Sequence, residues 1–128
     1  MDVRSEPCTA CPYRRDAPSG LWAAEEYAKL RGYDAPTAQQ PLAPFACHAT
    51  PDHYCHGWAV CHSTRGHDCE LLALRLAGVA TIPSAAVPLF ASGAEAADHG
   101  VRDLDAPAPA TIDTAARLQR KYPRLRED

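Results

Sequence analysis

Residues 7–13 read PCTACPY and place Cys8 and Cys11 two residues apart between two prolines. This spacing lets both thiolates point at one metal ion across a tight turn. Disulfides and redox pairs share the spacing, but a thioredoxin-like pair lies between a strand and a helix. Pro12 and the stretch 13–18 do not open a helix. The pattern therefore predicts one half of a metal site.

The composition of the chain points to a reducing compartment. The 128 residues carry a net charge of −3 and six cysteines, and no apolar run is long enough to span a bilayer. The first residues, MDVRSEPC, lack the apolar core of a signal peptide. We therefore expect a cytoplasmic protein without membrane contact, in which cysteines are metal ligands or reactive thiols rather than disulfides.

Charge also bears on the partner. A slightly acidic chain does not have the basic surface typical of nucleic-acid binding, so we expect a protein partner. The terminal basic residues are expected to form a solvated face of a last helix. They are Arg117, Arg120, Lys121, Arg124 and Arg126.

Helix signals dominate the chain outside its cysteine-rich part. Ser19 can cap a helix over 19–32 that Gly32 closes, and Asp68 can cap an apolar helix over 69–77 that Gly78 stops. A third helix follows the Ser92-x-x-Glu95 capping box and ends at Gly100, and a fourth spans 111–122. No segment alternates cleanly, so any sheet should be minimal.

These signals predict a small, mostly α-helical domain with irregular loops and minimal β-structure around a Cys-rich metal centre. We divide the chain into a Cys-rich metal-binding domain over 1–104, an Asp/Ala/Pro linker over 105–110 and a C-terminal helix and tail over 111–128. Large apolar side chains are scarce, with two Trp, two Phe and one Met. A modest core of this kind gains stability from a metal cross-link.

The second half of the metal site is expected in residues 33–66. This segment contains four prolines, shows no helical or alternating period and is poor in charge. A long irregular segment in a small domain needs an additional constraint, which a metal would supply. Cys47 and Cys55 are the best second pair with Cys8 and Cys11. Four thiolates would hold zinc or a [4Fe–4S] cluster.

Other ligands stay open at this stage. Cys61, His62 and His48 are possible substitutes or additional ligands, and the many histidines favour zinc. The irregular cysteine spacing, with Pro12 directly after Cys11, instead favours a cluster. We interpret Cys69 as a small buried residue.

Several histidines and arginines receive other roles. His53, His56 and His99 are interpreted as surface residues. Arg14 and Arg15, which directly follow the first pair, could offset the −2 charge of a zinc tetrathiolate.

Motifs for catalysis are missing. The string Pro7-Cys8-x-x-Cys11 matches half of the zinc deaminase signature, but no H-x-E occurs anywhere in the chain. Neither H-E-x-x-H nor G-x-S-x-G is present. We therefore expect a zinc-stabilised binding or regulatory module. The alternatives are an iron–sulfur protein acting as redox carrier, sensor or enzyme accessory, and a metalloenzyme with an open Cys/His site.

Five strings together resemble an uncharacterised family of small Cys-rich proteins, a domain of unknown function found in actinobacteria and their phages. The strings are CTACPYRRDAPSGLWAAEEYAKL, FACH, CHGWAVCH, LLALRLA and VPLFASGAEAADHG, and the resemblance covers about residues 7–104. It implies that Cys8, Cys11, Cys47, Cys55 and the pair Cys61–His62 lie in the motif blocks of the family. It implies no activity.

Overall fold

The computed structural model describes residues 1–64, 70–79 and 81–121. In this part of the chain, only isolated β-bridges join extended segments. The prediction of a mostly α-helical fold with minimal β-structure is therefore confirmed. The helices are α1 (Ala24–Gly32), a 3-10 turn (Thr37–Gln39), α2 (His56–Ser63), α3 (Leu72–Leu76), α4 (Gly93–Gly100) and α5 (Pro109–Lys121).

Helix α2 lies inside the segment 33–66, for which the sequence predicts no helix, and that prediction is wrong for residues 56–63. The string HGWAVCHS consists largely of residues with modest or poor helix propensity. Seven of its eight residues are nevertheless buried. Tertiary packing, rather than local propensity, therefore holds the central helix of the fold.

Helix α1 begins at Ala24, five positions after the predicted cap at Ser19. The Ser19 hydroxyl donates instead to the Asp103 carboxylate at 2.6 Å. Gly20 has a φ of 71° and donates its amide to the Gly100 carbonyl at 2.7 Å. The turn at residues 19–20 thus ties the segment before α1 to the end of α4, and α1 begins only after this turn.

Helix α3 is shorter than predicted. It ends before Gly78, the predicted stop, and Gly78 has a φ of 73°. The proposed cap Asp68 and the neighbouring Cys69 lie outside the described residues. Leu74 is buried, but Leu76 is 66% exposed and does not belong to the core.

Helices α4 and α5 follow the sequence closely. The Ser92 hydroxyl accepts the Glu95 amide at 3.1 Å, which confirms the predicted cap of α4. Helix α5 starts at Pro109, two residues before the predicted start. Its Leu118 packs into the core, and Thr111 donates its hydroxyl to the Ser19 carbonyl at 2.7 Å. The division into domain, linker and tail stays a prediction.

Among the described helices, α1 and α4 form the most extensive pair. Glycine makes their close approach possible. A Cβ atom added at Gly93 would lie 1.9 Å from the Leu30 carbonyl oxygen, and one at Gly100 would lie 2.1 Å from the Tyr27 ring. Distances this short leave no room for a side chain at either position.

We predict that Gly93→Ala lowers the free energy of unfolding by about 3 kcal/mol, because the new methyl group meets backbone that cannot move aside. Gly78→Ala is the matched control, since nothing lies within 4 Å of its added Cβ. It should lose only about 1 kcal/mol, from its positive φ. Urea unfolding followed by circular dichroism measures both, and equal losses would contradict the packing argument.

Candidate metal centre

The first cysteine pair sits on two consecutive turns. The Cys11 amide donates to the Cys8 carbonyl at 3.1 Å, and the Arg14 amide donates to the Cys11 carbonyl at 3.1 Å. Both cysteines are buried. Proline on either side supports this geometry because it fixes φ and removes an amide donor that a turn does not use. The turns aim both side chains into the protein.

The second pair flanks a closed loop. The Cys47 amide donates to the His53 carbonyl and the Cys55 amide to the Phe45 carbonyl, both at 2.9 Å. An antiparallel bridge joins Ala46 to Tyr54 between these bonds. The seven-residue gap between the cysteines is therefore a loop whose two ends are paired.

The four thiols meet as two pairs. The Cys11 and Cys55 sulfurs lie 3.7 Å apart, and Cys8 is hydrogen-bonded to Cys47. All four are buried and free of disulfides. Charges also act across the pairs: that of Cys47 raises the pKa of Cys11, and that of Cys11 raises the pKa of Cys8. The structure thus brings together the four cysteines selected from the sequence.

The four thiols are placed as two pairs rather than as one ligand group. Within residues 1–64, 70–79 and 81–121, no group of three or more Cys, His, Asp or Glu side chains is placed so that it could hold a metal ion. Binding an ion would require the two thiol pairs to close around it. Four sulfur donors are the ligand set of closed zinc sites and of iron–sulfur clusters, so the residues present fit either group.

Backbone amides surround the sulfurs. Each of the four thiols accepts a hydrogen bond from an amide two or three residues further along the chain, and such bonds stabilise a thiolate. The donors are Ala10 to Cys8, Tyr13 to Cys11, Ala49 and Thr50 to Cys47, and Trp58 to Cys55. Gly57 adds a second amide to Cys11. The backbone is therefore arranged for negative charge on sulfur.

Within each pair, the pKa values of the two thiols are shifted in opposite directions. The pKa of Cys47 is lowered to about 4, first because Cys8 donates to it and then because of its Thr50 contacts. The pKa of Cys11 is lowered mainly by the hydrogen bond from Cys55. Those bonds, together with burial, raise the pKa of Cys8 and of Cys55 well above the ordinary value.

Two guanidinium groups lie near this charge, and one of them was not expected. Arg4 Nη1 is 3.8 Å from the Cys47 sulfur and donates to the Thr50 hydroxyl at 3.2 Å. Arg14 reaches the Cys8 carbonyl at 3.5 Å. Arg15 instead donates to the Leu89 carbonyl at 3.1 Å. Sequence reasoning missed Arg4 because 43 residues separate it from Cys47.

The three additional candidate ligands have other partners. His48 is 3.0 Å from a Glu26 carboxylate oxygen and stacks on Trp22. His62 Nε2 is 2.9 Å from the Tyr13 hydroxyl. Cys61 is also buried. Its charge contributes to the raised pKa of Tyr13, which shows that it lies near the Tyr13 hydroxyl. The structure therefore groups Cys8, Cys11, Cys47 and Cys55 and leaves these three beside them.

A buried chain of polar groups starts at Tyr13. The pKa of Tyr13 is raised, first by burial and then by the charges of neighbouring cysteines. Its partner His62 is fully buried and has Nδ1 3.6 Å from an Asp34 carboxylate oxygen. Asp34 in turn accepts the Gly93 and Ala94 amides at 2.7 and 2.8 Å. The chain links the cysteine turns to the first turn of α4.

His56 is not a surface residue, so that prediction is wrong. It is fully buried and its Nδ1 is 2.9 Å from the Arg4 carbonyl, to which it must donate. Its place next to Cys55 at the start of a buried helix explains the burial. His53 keeps a side chain 44% exposed. His99 is partly buried and donates from Nε2 to the Ala17 carbonyl at 2.6 Å.

Fold and site together define a small helical protein in which five described cysteines are buried and four of them meet in two pairs. The family of unknown function DUF6283 matches residues 3–120, and the chain belongs to this family. No curated protein and no solved structure matches the chain. None of the described helices combines the length and apolar character needed to cross a membrane.

We predict that Tyr13→Phe lowers the free energy of unfolding by about 1–3 kcal/mol, because a buried nitrogen of His62 loses the tyrosine hydroxyl. Tyr54→Phe is the control, since the Tyr54 hydroxyl makes no hydrogen bond within the described part of the chain and its ring keeps its place beside Trp58. Chemical denaturation compares the two variants. A loss for Tyr54→Phe as large as that for Tyr13→Phe would argue against the polar chain.

Proposed function

We propose that this chain is a small cytoplasmic zinc protein in which Cys8, Cys11, Cys47 and Cys55 hold one structural ion. It acts as a binding or regulatory module toward a protein partner. One observation carries the proposal: the two cysteine pairs, 36 or more residues apart in sequence, meet in the interior with amide donors on every sulfur. Such donors stabilise thiolates, and several buried thiolates need a cation beside them.

The distance between sulfurs favours zinc over a cluster. With Zn–S bonds of about 2.3 Å, tetrahedral geometry separates two sulfurs by about 3.8 Å. The Cys11 and Cys55 sulfurs are 3.7 Å apart. In a [4Fe–4S] cluster each cysteine binds its own iron atom, which spreads the sulfurs further. The spacing supports one shared ion, and the iron–sulfur alternative becomes an outcome of the test below.

The surroundings also suit a zinc tetrathiolate of charge −2. Arg4 lies against Cys47, and the pKa of Arg14 is raised first by its hydrogen bonds to Asp16 and to a smaller extent by the charges of Cys11 and Cys8. Together with the amides, these groups offset the negative charge in the interior. A fully protein-ligated ion has no open position for a substrate, so this proposal is of a structural centre rather than an enzyme.

A structural ion would compensate for the modest apolar core. The cysteine turns occupy the middle of the structure, and their neighbours include small residues such as Ala10, Ala49 and Ala59. These residues bury little apolar area, and a metal bridge between the 8–11 and 47–55 segments would add the missing stability. Metal-binding free energy would then be folding free energy.

We predict that the purified protein is colourless and contains one equivalent of zinc, and that Cys11→Ser and Cys55→Ser lose both the zinc and the folded state. Cys61→Ser is the matched control: it is equally buried but belongs to neither thiol pair, so it should keep its zinc. Elemental analysis and circular dichroism measure these outcomes.

A brown protein whose absorbance near 400 nm is lost in air would show that the centre is an iron–sulfur cluster instead of zinc. Metal-free protein in which the serine variants fold as stably as the parent would refute the structural centre. Loss of zinc from Cys61→Ser would instead add Cys61 to the ligand set.

We predict that Arg4→Ala weakens zinc binding by about tenfold, because a group that orients and neutralises a ligand is removed. Arg15→Ala is the control, since its guanidinium contacts the Leu89 carbonyl and the Phe90 ring instead. Competition with a chromophoric chelator gives both affinities. Equal effects of the two substitutions would show that Arg4 acts only through the overall charge.

A further inference from the structure

Four consecutive apolar residues are exposed between the 3-10 turn and the second cysteine pair. They are Pro41, Leu42, Ala43 and Pro44, and Leu42 is 68% exposed. An exposed apolar run of this length lowers solubility and is unusual unless it serves binding. The run 41–44 is therefore a candidate for contact with another protein surface.

Hydrogen bonds fix this run to the interior. Gln40, which precedes it, is buried and donates Nε2 to the Ala35 carbonyl at 3.0 Å, while its Oε1 accepts the Leu72 amide at 2.9 Å. Within the run, the Ala43 carbonyl accepts the Tyr33 hydroxyl at 2.6 Å. The run is thus held in place before any partner arrives, and a pre-organised anchor loses little entropy on binding.

An open groove of about 460 Å³ lies directly beside Leu42. Its walls include the other three residues of the run, together with Tyr33 and Phe45. This volume lies in the range that holds whole small molecules, so it is ample for a leucine side chain. An apolar projection and an apolar recess therefore adjoin each other on one surface.

A projection beside a recess is complementary to itself. In a two-fold dimer the same patch meets its own copy, so Leu42 of one copy can enter the groove of the other while the reverse contact forms at the same time. Both apolar features are then removed from water in a single interface. A different protein would have to supply both a recess for Leu42 and a projection for the groove.

The charges around the groove also permit a second copy. Glu26 and Lys29 both line it and form an ion pair at 2.9 Å, and Glu26 also lies 3.0 Å from His48 Nε2. With one acidic and one basic group, the patch has no large excess of either charge. Two identical patches of a single sign would repel each other, whereas this patch can face its own copy without that repulsion.

We propose that the run 41–44 and the adjoining groove form the contact between two copies of this chain, with each Leu42 seated in the groove of the other copy. The inference rests on the proposed role as a binding module, and it names the surface and the partner of that module. Since Cys47 also lines the groove, the second copy would cover the solvent side of one proposed zinc ligand.

Sedimentation equilibrium of the full zinc-loaded chain over a wide range of concentrations tests the proposal. We expect a monomer–dimer equilibrium that Leu42→Ser weakens by about a hundredfold, because two leucine side chains lose their apolar seat in each dimer. Leu76→Ser is the matched control, since this leucine is 66% exposed but does not line the groove or belong to the run. It should leave the dimer unchanged. Both positions are exposed, so both variants should fold, and thermal unfolding checks this.

A pair of charge variants tests the two-fold symmetry. Ala43 is exposed and lines the groove, so Ala43→Glu and Ala43→Lys each give the patch an excess of one charge. Each variant alone should weaken its dimer about tenfold, since both copies bring the same charge into one interface. An equimolar mixture of the two should restore the affinity, because opposite charges then meet. Only contact between copies of this chain predicts such a recovery.

Three results would overturn the inference: a chain that stays monomeric at every concentration, a dimer that Leu42→Ser leaves intact, or charge variants whose mixture gains nothing over either alone. A monomer would leave the surface to a different protein. Zinc content, measured on the same samples, tests the proposed function separately. A zinc-loaded monomer contradicts only the dimer, and a zinc-free dimer contradicts only the structural ion.

Discussion

The buried contact between Cys11 and Cys55 is the constraint on which the rest of the structure depends. It joins the first cysteine turns to the residue that precedes α2, and Gly57 is forced to be glycine because its backbone lies against the Cys11 sulfur. Tyr54, which directly precedes Cys55, donates its amide to the Asp2 carbonyl and accepts the Arg4 amide. The N-terminal segment, the 47–55 loop and the central helix therefore all converge on this pair of sulfurs.

Burying several thiols at one place has an electrostatic consequence. Sulfur that is both buried and close to other sulfur cannot become fully anionic without compensation. Each pair therefore shares a proton, which lowers the pKa of Cys11 and Cys47 and raises that of their partners. A metal ion would replace the shared protons by a stronger positive charge. The amides and Arg4 already favour that outcome.

The centre is also connected to the helical half of the protein. Tyr13 follows Cys11 by two residues, and its hydroxyl meets His62 on α2. His62 faces Asp34, which accepts amides from the first turn of α4. Because α4 packs against α1 without room for a side chain at Gly93, a change in the cysteine turns would be transmitted to both helices. The centre and the helices form one polar and packed unit.

The sequence by itself determined the helical class, the cap at Ser92, the stop at Gly78 and the four cysteines that meet, because capping residues, glycine and Cys-x-x-Cys spacing act through local geometry. It could not determine α2, whose residues have little local preference for helix and are held by burial on almost every side. It also could not place Arg4 beside Cys47 or bury His56. Those positions depend on pairing between segments some 50 residues apart, and only the tertiary structure decided them.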